Sequence, residues 1–465
     1  MSDWIAGQSF NLIHRRWLTD GRSGSYVALV VVHPPRGMLT GAVLKLLPPD
    51  LARREGRASS LAWQLSPPEF AEAHLVRTMP SAPVEGPSRW WVQLQEVGQP
   101  DRAESQTLAQ LQGHMSFGAY CATVIEAIAK NWNWGTADPE PMNVDAGQFL
   151  REDLGARLAD VRAFAETAGL GDGSVSEFRL AHRREVLPNP VALLNREADP
   201  SLRVLVFLGN GHGDLHPGNV LVPVDAGVVR ADLFRLIDYG RFSSGMPVSR
   251  DPVKLALAGV ASRVDFCADP VLNAVFADAM VTPAAHPPRT ESAWHHDVAA
   301  RIHHAAEGWA RRRHVVADWT RQHRLTLLAS ALRTVGRAEL SHAERLWHLE
   351  VAALALRELK ADRPAAIGTR LATNAPTEAS ASERPRSYLP AVKRAFCRRL
   401  GDSWAELADE LGVPAHQQAR FQRGGEARAV WEWAEVRERL SELPDLLRII
   451  DREDLTQMFG ADAGR

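Results

Sequence analysis

Short apolar runs separated by Gly and Pro dominate roughly the first hundred residues. Residues 26–32, YVALVVV, and 42–47, AVLKLL, are rich in Val and Leu, and 89–97, RWWVQLQEV, alternates in its second half. Runs of this kind predict strands. The segment 66–77, SPPEFAEAHLVR, opens with a capping Ser and two prolines and continues at helical spacing. The pattern therefore predicts a small sheet that carries one helix.

Helical periodicity follows from about residue 105. It is clearest in 118–132, GAYCATVIEAIAKNW, and in 146–166, AGQFLREDLGARLADVRAFAE. Two strand-like runs then bracket a polar loop, and beyond residue 250 almost all of the chain has a helical pattern. Strands first and helices later predict an α+β class with two lobes. We expect a small β-rich lobe over 1–97 and a large helical lobe over 98–363, which contains a helical insertion.

The composition changes after residue 363. Residues 364–386, PAAIGTRLATNAPTEASASERPR, are poor in large apolar side chains and rich in Ala, Thr, Ser and Pro, which is typical of a linker. Residues 387–462 return to short amphipathic helices broken at Gly and Pro, and they contain enough Trp, Phe and Leu for a small core. The sequence therefore predicts a disordered linker followed by a separate, small all-α helical bundle.

In that bundle, Trp431 and Trp433 are two residues apart, so on one helix their side chains point to different sides. One of them is predicted to lie in the core. The other, with Arg437 and Arg439 nearby, is a candidate anchor for a partner, and a fully buried pair is the alternative.

Composition and charge argue against several classes of function. The 465 residues carry 54 Lys and Arg against 56 Asp and Glu, so nothing global favours nucleic acid or an anionic membrane as a partner. The first residues contain no basic, apolar leader, and no apolar run reaches the length of a membrane span. Three widely spaced cysteines predict neither disulfides nor a zinc site. A cytoplasmic protein is expected.

The polar loop 211–222, GHGDLHPGNVLV, holds the residues with the clearest chemistry. Phosphoryl transfer from ATP needs a carboxylate beside the attacking hydroxyl and oxygen ligands for Mg²⁺. Asp214 is the candidate carboxylate, and Asn219, five residues later, offers an amide oxygen to the metal. Asp238, at the end of a predicted strand and close to Gly240, is a second acid placed for coordination.

A Gly-containing turn in the small lobe is a candidate phosphate contact. The segment 19–26, TDGRSGSY, lies between apolar runs, and its Gly21, Ser23 and Gly24 let backbone N–H groups approach phosphates closely. A plain hairpin turn is the alternative interpretation.

Lys45 lies inside the apolar run 42–47, where an unpaired ammonium is costly to desolvate. It therefore needs an acidic partner. Glu72 on the predicted helix is the first choice, and Glu69 is the competing one. A lysine that extends its ammonium to water is the remaining alternative.

The order of these features resembles the pattern of the protein-kinase-like superfamily, in the variant of aminoglycoside and choline phosphotransferases that carries HGD instead of HRD. The features are, in chain order, the Gly turn, Lys45, Glu72, HGDLHPGN and LIDYG. The resemblance covers about residues 10–360 and implies a bilobal fold that binds ATP and Mg²⁺. It implies the following roles: Asp214 as catalytic base, Asn219 and Asp238 as Mg²⁺ ligands, Lys45 on the α- and β-phosphates, and Glu72 holding Lys45. It also implies an adenine-binding hinge near Gln95, Glu96 and Val97.

Three departures limit what this resemblance implies. The Gly turn is shorter than GxGxxG, Tyr239 replaces the usual aromatic residue after the metal-binding acid, and SSGMPVSRDPVKLAL has no long activation segment ending in APE. Regulation by activation-loop phosphorylation is therefore not expected. Asp251 in the same segment is either an acid that supports the catalytic loop or a helix N-cap.

A narrower resemblance comes from the order of the parts. A kinase-like domain with a helical insertion, followed by a tail containing VWEWAEVRERLSELPDLLR, is similar to the ternary complex associated kinase-like domains of bacterial conflict systems. There the tail is a death-like, effector-associated adaptor domain, which implies signalling or defence through homotypic contacts with a protein partner. Two alternatives remain: an ATP-binding scaffold without catalysis, and a small-molecule kinase of the antibiotic-modifying type, which predicts an acidic acceptor pocket. No motif identifies the phosphoryl acceptor.

Overall fold

The chain divides into two compact units, Met1–Ala365 and Ala366–Arg465. The computed structural model describes residues 10–17, 26–33, 40–79, 82–83, 90–98, 104–134, 141–171, 173–195, 202–266, 269–283, 292–362, 396–397, 399–400, 403–411, 413, 418, 421, 426–436, 439–450 and 452–456. The predicted linker, 364–386, and the Gly turn with Gly21, Ser23 and Gly24 lie outside these residues.

An antiparallel sheet forms the small lobe of the first unit. The elements in chain order are β1 (Asn11–Trp17), β2 (Tyr26–His33), β3 (Thr40–Leu47), α1 (Pro49–Leu65), α2 (Pro68–His74), β4 (Arg77–Thr78), β5 (Ala82–Pro83) and β6 (Trp91–Gly98). The strands are ordered β1-β2-β3-β6-β4, and β5 also pairs with β6. Alternate Val, Leu and Ala side chains of β2, β3 and β6 form one buried face, because successive residues of a strand point to opposite sides.

The sequence pattern predicted one helix in this lobe, and that prediction was incomplete. The chain enters a 17-residue helix, α1, directly after β3. Its buried residues are Ala52, Glu55, Ala58, Ser59 and Ala62. They recur at helical spacing, but they are small or polar. A helix is usually predicted from large apolar residues at that spacing, so this pattern did not predict α1. Proline at the start and an acid in the first turn, Asp50, are the signals that do predict it.

The large lobe alternates short strands and helices and then becomes helical. Its elements are β7 (Glu104–Thr107), α3 (Phe117–Ala127), β8 (Met142–Asp145), α4 (Ala146–Leu154), α5 (Leu158–Thr167), β9 (Glu177–Phe178), β10 (Leu187–Pro188), β11 (Arg203–Val206), β12 (Leu208–Gly211), β13 (Val220–Asp225), β14 (Val228–Val229), β15 (Arg235–Leu236), β16 (Ser243–Pro247), α6 (Arg250–Ala261), α7 (Pro270–Val281), α8 (Ala293–Arg312), α9 (Val316–Val335) and α10 (His342–Ala361). One continuous hydrophobic core joins these elements to α2 and to part of β3. The predicted α+β class, with a β-rich lobe and a helical lobe, is confirmed.

Two short antiparallel ladders bring distant loops together. β13 pairs with β15, with Val220 opposite Leu236, and β12 pairs with β16. In an antiparallel pair, the residue before one strand lies beside the residue after the other. Asn219 therefore neighbours Ile237, whose backbone N donates to Asn219 O at 3.1 Å. The loop that contains Asp214 and the segment that contains Asp238 are adjacent for this reason.

Contacts between α2 and the segment around β15 join the two lobes. His74 Nδ1 lies 3.1 Å from Phe234 O, and the two rings stack with centroids 4.0 Å apart. Val76 N donates to the Tyr239 hydroxyl oxygen at 3.0 Å, and that hydroxyl donates to Leu236 O at 2.6 Å. Tyr239 is thus a buried link between lobes.

The second unit contains the helices α11 (Trp404–Glu410), α12 (Glu426–Val436), α13 (Leu443–Ile449) and α14 (Glu453–Thr456) around a core of its own. Trp431 is 1% exposed and packs on Phe396, with ring centroids 4.9 Å apart. Trp433 is less buried and lies under the Arg439 guanidinium, which is paired with Glu442. The prediction that one of the two tryptophans lies in the core is confirmed; Arg437 lies outside the described residues.

No helix among the described residues is both long enough and apolar enough to span a membrane.

Candidate functional site

Lys45 is the most deeply buried charge of the site. Its side chain is 2% exposed on β3, its Nζ donates to Glu55 Oε2 at 2.9 Å, and Nζ lies 3.3 Å from Asp238 Oδ1. Burial by itself lowers the pKa of Lys45, but Asp238 and Glu55 raise it above its ordinary value. The ammonium is therefore charged, and it joins α1 of the small lobe to Asp238 of the large lobe.

The prediction that Glu72, or alternatively Glu69, pairs with Lys45 is wrong. Both glutamates are exposed on α2, and the Glu72 backbone carbonyl accepts a hydrogen bond from Arg235. The helix that directly follows β3 is α1, and its buried face places Glu55 beside the Lys45 ammonium. The reason for the error is the missed helix, because without α1 the first acids on a helix are those of α2.

Asp214 lies in the loop between β12 and β13, with two cations beside its carboxylate. Lys254 Nζ donates to Oδ1, and Arg241 Nε lies 3.8 Å from Oδ2. Burial by itself raises the pKa of Asp214, but Lys254, followed by His216 and Arg241, holds it well below its usual range. The carboxylate is therefore ionised at neutral pH and can accept a hydrogen bond from a hydroxyl group.

Asp251, in the first turn of α6, supports this loop. Its Oδ2 accepts from His212 N at 2.7 Å and its Oδ1 accepts from Gly213 N at 2.9 Å. The N-cap alternative does not hold, because the N-cap residue of α6 is Ser249. His212 is fully buried, and its Nε2 donates to Ile237 O at 2.7 Å, so its role in the loop is structural.

Gly213 explains why the loop contains HGD. Its φ is +77°, in the left-handed region, and an added Cβ would lie 2.3 Å from Arg241 O. No side chain fits at that distance, whereas glycine accepts both the conformation and the contact. The segment after Asp238 can therefore pack directly on the loop that carries Asp214.

Asn219 and Asp238 provide oxygen atoms next to Asp214. Asn219 Nδ2 donates to Asp214 O at 3.0 Å, so the loop engages the amide nitrogen and not the oxygen that a metal would need. Asp238 has φ +68°, a left-handed conformation that costs about 1 kcal/mol or more for a non-glycine residue. Burial raises the pKa of Asp238, but Lys45 and His212 hold it below its ordinary value.

This donor set fits Mg²⁺ bound together with phosphates. Mg²⁺ prefers carboxylate and carbonyl oxygens, keeps several waters and is usually held by one or two carboxylates plus substrate phosphate oxygens. Within the described ranges, no group of three or more His, Cys, Asp or Glu is placed to hold a metal ion. Asp238 and Asn219 would therefore hold Mg²⁺ weakly unless a nucleotide supplied the other oxygens.

The predicted hinge residues lie on β6. Gln95 is buried, and Glu96 is half-buried with Ala42 of β3 opposite it on one side and Arg77 of β4 on the other. Val97 follows within the same strand. The strand thus continues through the expected adenine-binding position, and the adenine contact stays a prediction.

Three residues of the site were not predicted from the sequence pattern: Glu55, Arg241 and Lys254. The signal for Lys254 is its spacing, since it lies three residues after Asp251 on one helix and both side chains face the same loop. Arg241 directly follows LIDYG in the sequence. Glu55 was not predicted because the small buried side chains of α1 gave no apolar pattern from which to predict that helix.

Comparisons with known proteins bear mainly on the second unit. Residues 390–462 match the family model of Bacterial Death-like domain 3. No curated protein matches the chain in sequence. Among solved structures, the chain is similar to an ethanolamine kinase from Plasmodium vivax, with 11% identity and a TM-score of 0.28, over 78% of this chain and 85% of that chain. A likeness this distant carries no argument about activity.

The first unit has the two-lobed α+β arrangement that the sequence predicted, and it brings Lys45 beside Asp238 and Lys254 beside Asp214. The predicted resemblance of the tail to death-like domains is confirmed by the family model. The chain thus combines a two-lobed α+β unit with a C-terminal region similar to Bacterial Death-like domain 3, a class of protein–protein interaction module.

Proposed function

We propose that the protein is an ATP- and Mg²⁺-dependent phosphotransferase of a bacterial signalling or conflict system, joined to a protein partner by its C-terminal unit. The observation that carries this proposal is the buried Lys45 ammonium, which is bound to Glu55 and Asp238 beside the Asp214 loop. A lysine, a metal-binding acid and a hydroxyl-positioning carboxylate are the parts that kinase-like phosphoryl transfer uses.

Asp214 is the proposed catalytic base. As a carboxylate it accepts a hydrogen bond from the acceptor hydroxyl and aligns the hydroxyl oxygen with the γ-phosphoryl group. The new oxygen–phosphorus bond forms while the bond to the ADP oxygen breaks, and the hydroxyl proton passes to Asp214. Lys254 donates to Asp214 Oδ1 and fixes the direction of the carboxylate.

The remaining residues are proposed to bind the nucleotide. Lys45, held by Glu55, contacts the α- and β-phosphates, and Asn219 and Asp238 are the Mg²⁺ ligands. Bound Mg²⁺ neutralises charge on the phosphate oxygens. The adenine lies near Glu96 and Val97. The turn with Gly21, Ser23 and Gly24, which the sequence predicts as a phosphate contact, lies outside the described residues.

Metal removal tests this proposal. With the full chain and γ-labelled ATP, release or transfer of the label should require Mg²⁺ and stop in EDTA. Asp238→Asn should raise the Mg²⁺ concentration for half-maximal rate by at least about tenfold, because it removes a charged ligand. Asp225→Asn, at an exposed position at the end of β13, is the matched control. Nucleotide binding without any turnover would favour the scaffold alternative.

The antibiotic-modifying alternative is not supported by the surroundings of Asp214. That alternative predicts an acidic acceptor pocket, which suits a cationic substrate. The side chains that flank the Asp214 carboxylate are Lys254 and Arg241, both cationic.

The C-terminal unit is proposed to bind a protein partner through homotypic contacts. Two full-length copies with different affinity tags should therefore copurify, and copies that end at residue 386 should not. Asp214→Asn in the full chain should leave the copurification intact, because it alters the first unit. Copurification of the truncated copies would show that the assembly does not depend on this unit.

A further inference from the structure

A cavity of about 700 Å³ opens beside the Asp214 loop. Gly213 lines it, and so does Lys254, the residue that donates to the Asp214 carboxylate. Pockets for small ligands are commonly about 300–1,000 Å³ in volume. The cavity is therefore large enough for a small molecule, and Lys254, which lines it, contacts the Asp214 carboxylate.

The lining of this cavity is strongly cationic. Among the described residues that line it are six arginines and one lysine, against one carboxylate, Asp153. The cations come from separate parts of the chain: α1, the segment after Asp238, α6 and α9. With a formal net charge of −2 for the whole chain, a cluster of this kind is a local property of the fold.

Helix α1 contributes through its exposed face. Glu55 is buried and pairs with Lys45, whereas Arg53, Arg54 and Arg57 are exposed and line the cavity. One helix thus holds the proposed nucleotide-binding lysine on one side and supplies three guanidinium groups to the cavity on the other.

The carboxylates near the cavity are already engaged. Arg250 donates to both carboxylate oxygens of Asp153, and Arg333 donates to the Asp153 backbone carbonyl. Asp214 is held by Lys254. In the part of the chain that the structure describes, no carboxylate lies within ion-pair distance of Arg54 or Arg57. The cavity therefore has excess positive charge that a ligand can neutralise.

Repulsion among these cations supports the same conclusion. Burial lowers the pKa of Arg333, and Arg241 and Arg250 lower it further, although Asp153 opposes them. A bound anion would relieve this repulsion. Guanidinium groups bind phosphate and carboxylate through two parallel hydrogen bonds, so an arginine cluster selects for such anions.

We infer that the phosphoryl acceptor is a small hydroxyl compound that carries a phosphate group, and that this cavity binds the phosphate while the hydroxyl reaches Asp214. The inference rests on the proposed phosphotransferase function and specifies its substrate class. The phosphate lies against Arg54 and Arg57 on α1, and the hydroxyl lies at the Gly213 and Lys254 end.

Phosphate binding tests the inference without turnover. Glycerol 3-phosphate, inorganic phosphate and glycerol are titrated into the full chain saturated with a non-hydrolysable ATP analogue and Mg²⁺, and binding is measured by calorimetry. Both phosphate probes should bind and glycerol should not. Arg54→Glu combined with Arg57→Glu should weaken phosphate binding by more than about tenfold, because two charged hydrogen-bond donors become repulsive. Both positions are exposed, so the variant keeps its core.

Arg179→Glu combined with Arg184→Glu is the matched control. Both arginines are exposed in the first unit and lie outside the lining of the cavity, so the same charge change should leave phosphate binding intact. Equal losses in the two double variants, or equal binding of glycerol, would overturn the inference. So would loss of phosphate binding in the presence of the ATP analogue, because the site would then belong to the nucleotide.

Two further outcomes separate the sources of the anion. If inorganic phosphate binds but glycerol 3-phosphate does not bind, the cavity is a site for free phosphate. If an acidic glutamate peptide competes for the cavity and the phosphate probes do not, the cavity binds a protein segment. Either result overturns the acceptor assignment. A wild-type chain that binds the phosphate probes at Arg54 and Arg57 but never consumes ATP would contradict the proposed function and leave the anion site standing.

Discussion

Replacing Asp214 with asparagine should reduce γ-phosphate transfer by about 10²–10⁴-fold, the usual contribution of a positioned acid or base. The amide keeps an oxygen that can accept a hydrogen bond, but it loses the negative charge that takes up the hydroxyl proton. It also places an uncharged group beside Lys254 and Arg241, which lie against the wild-type carboxylate. The measurement is label transfer from γ-labelled ATP by the full chain, at saturating Mg²⁺.

Nucleotide affinity gives the internal control for this variant. Lys45, Glu55 and Asp238 are unchanged, so binding of Mg²⁺-ATP, followed by thermal shift, should remain within about threefold of wild type. Asp225→Asn makes the same chemical change at an exposed position of the same lobe and should leave the rate unchanged. Equal rates for Asp214→Asn and wild type would remove Asp214 from the mechanism.

Replacing Glu55 with glutamine should destabilise the first unit and weaken nucleotide binding. Glu55 is the nearest carboxylate to the Lys45 ammonium, and the two side chains are 6% and 2% exposed. Breaking a buried ion pair on one side costs about 3–5 kcal/mol, and we expect the lower end because Asp238 remains beside Lys45. Chemical denaturation of the full chain measures the change in the free energy of unfolding, with each unit followed as a separate transition.

Glu72→Gln and Glu69→Gln are the controls for the Glu55 variant, since all three exchange a carboxylate for an amide. Both lie exposed on α2, where substitutions usually change the free energy of unfolding by no more than about 0.5 kcal/mol. A loss of stability and of nucleotide binding in Glu72→Gln equal to that in Glu55→Gln would restore the pairing that the sequence pattern first indicated.

The polar loop and the segment LIDYG were predictable because short stretches of chain determine their geometry. Asp214 and Asn219 lie five residues apart in one loop, and the amide of Asn219 bonds back to the Asp214 carbonyl. The antiparallel pair of β13 and β15 then places Asp238 beside them. Local connectivity and one strand pair are sufficient for this part of the site.

The partner of Lys45 was not predictable from apolar periodicity. Helix α1 buries alanines, a serine and a glutamate, and such a face does not differ in composition from an exposed one. The charge of Lys45 required an acid, and that requirement was correct. Which acid satisfied it depended on how α1 packs across β3, and packing is a property of the folded chain.

By itself, the sequence determined the class of the fold, the two-lobed order, the residues of the Asp214 loop and the presence of a helical tail. Each of these follows from periodicity or from contacts between residues close in the chain. Only the tertiary structure decided that Glu55 holds Lys45, that Lys254 holds Asp214 and that arginines from α1, α6 and α9 surround one cavity. A sequence with a net charge near zero does not predict this cluster of arginines. The interaction between charges depends on the distances between them in space. Those distances are set only when helices that are far apart in the chain pack together.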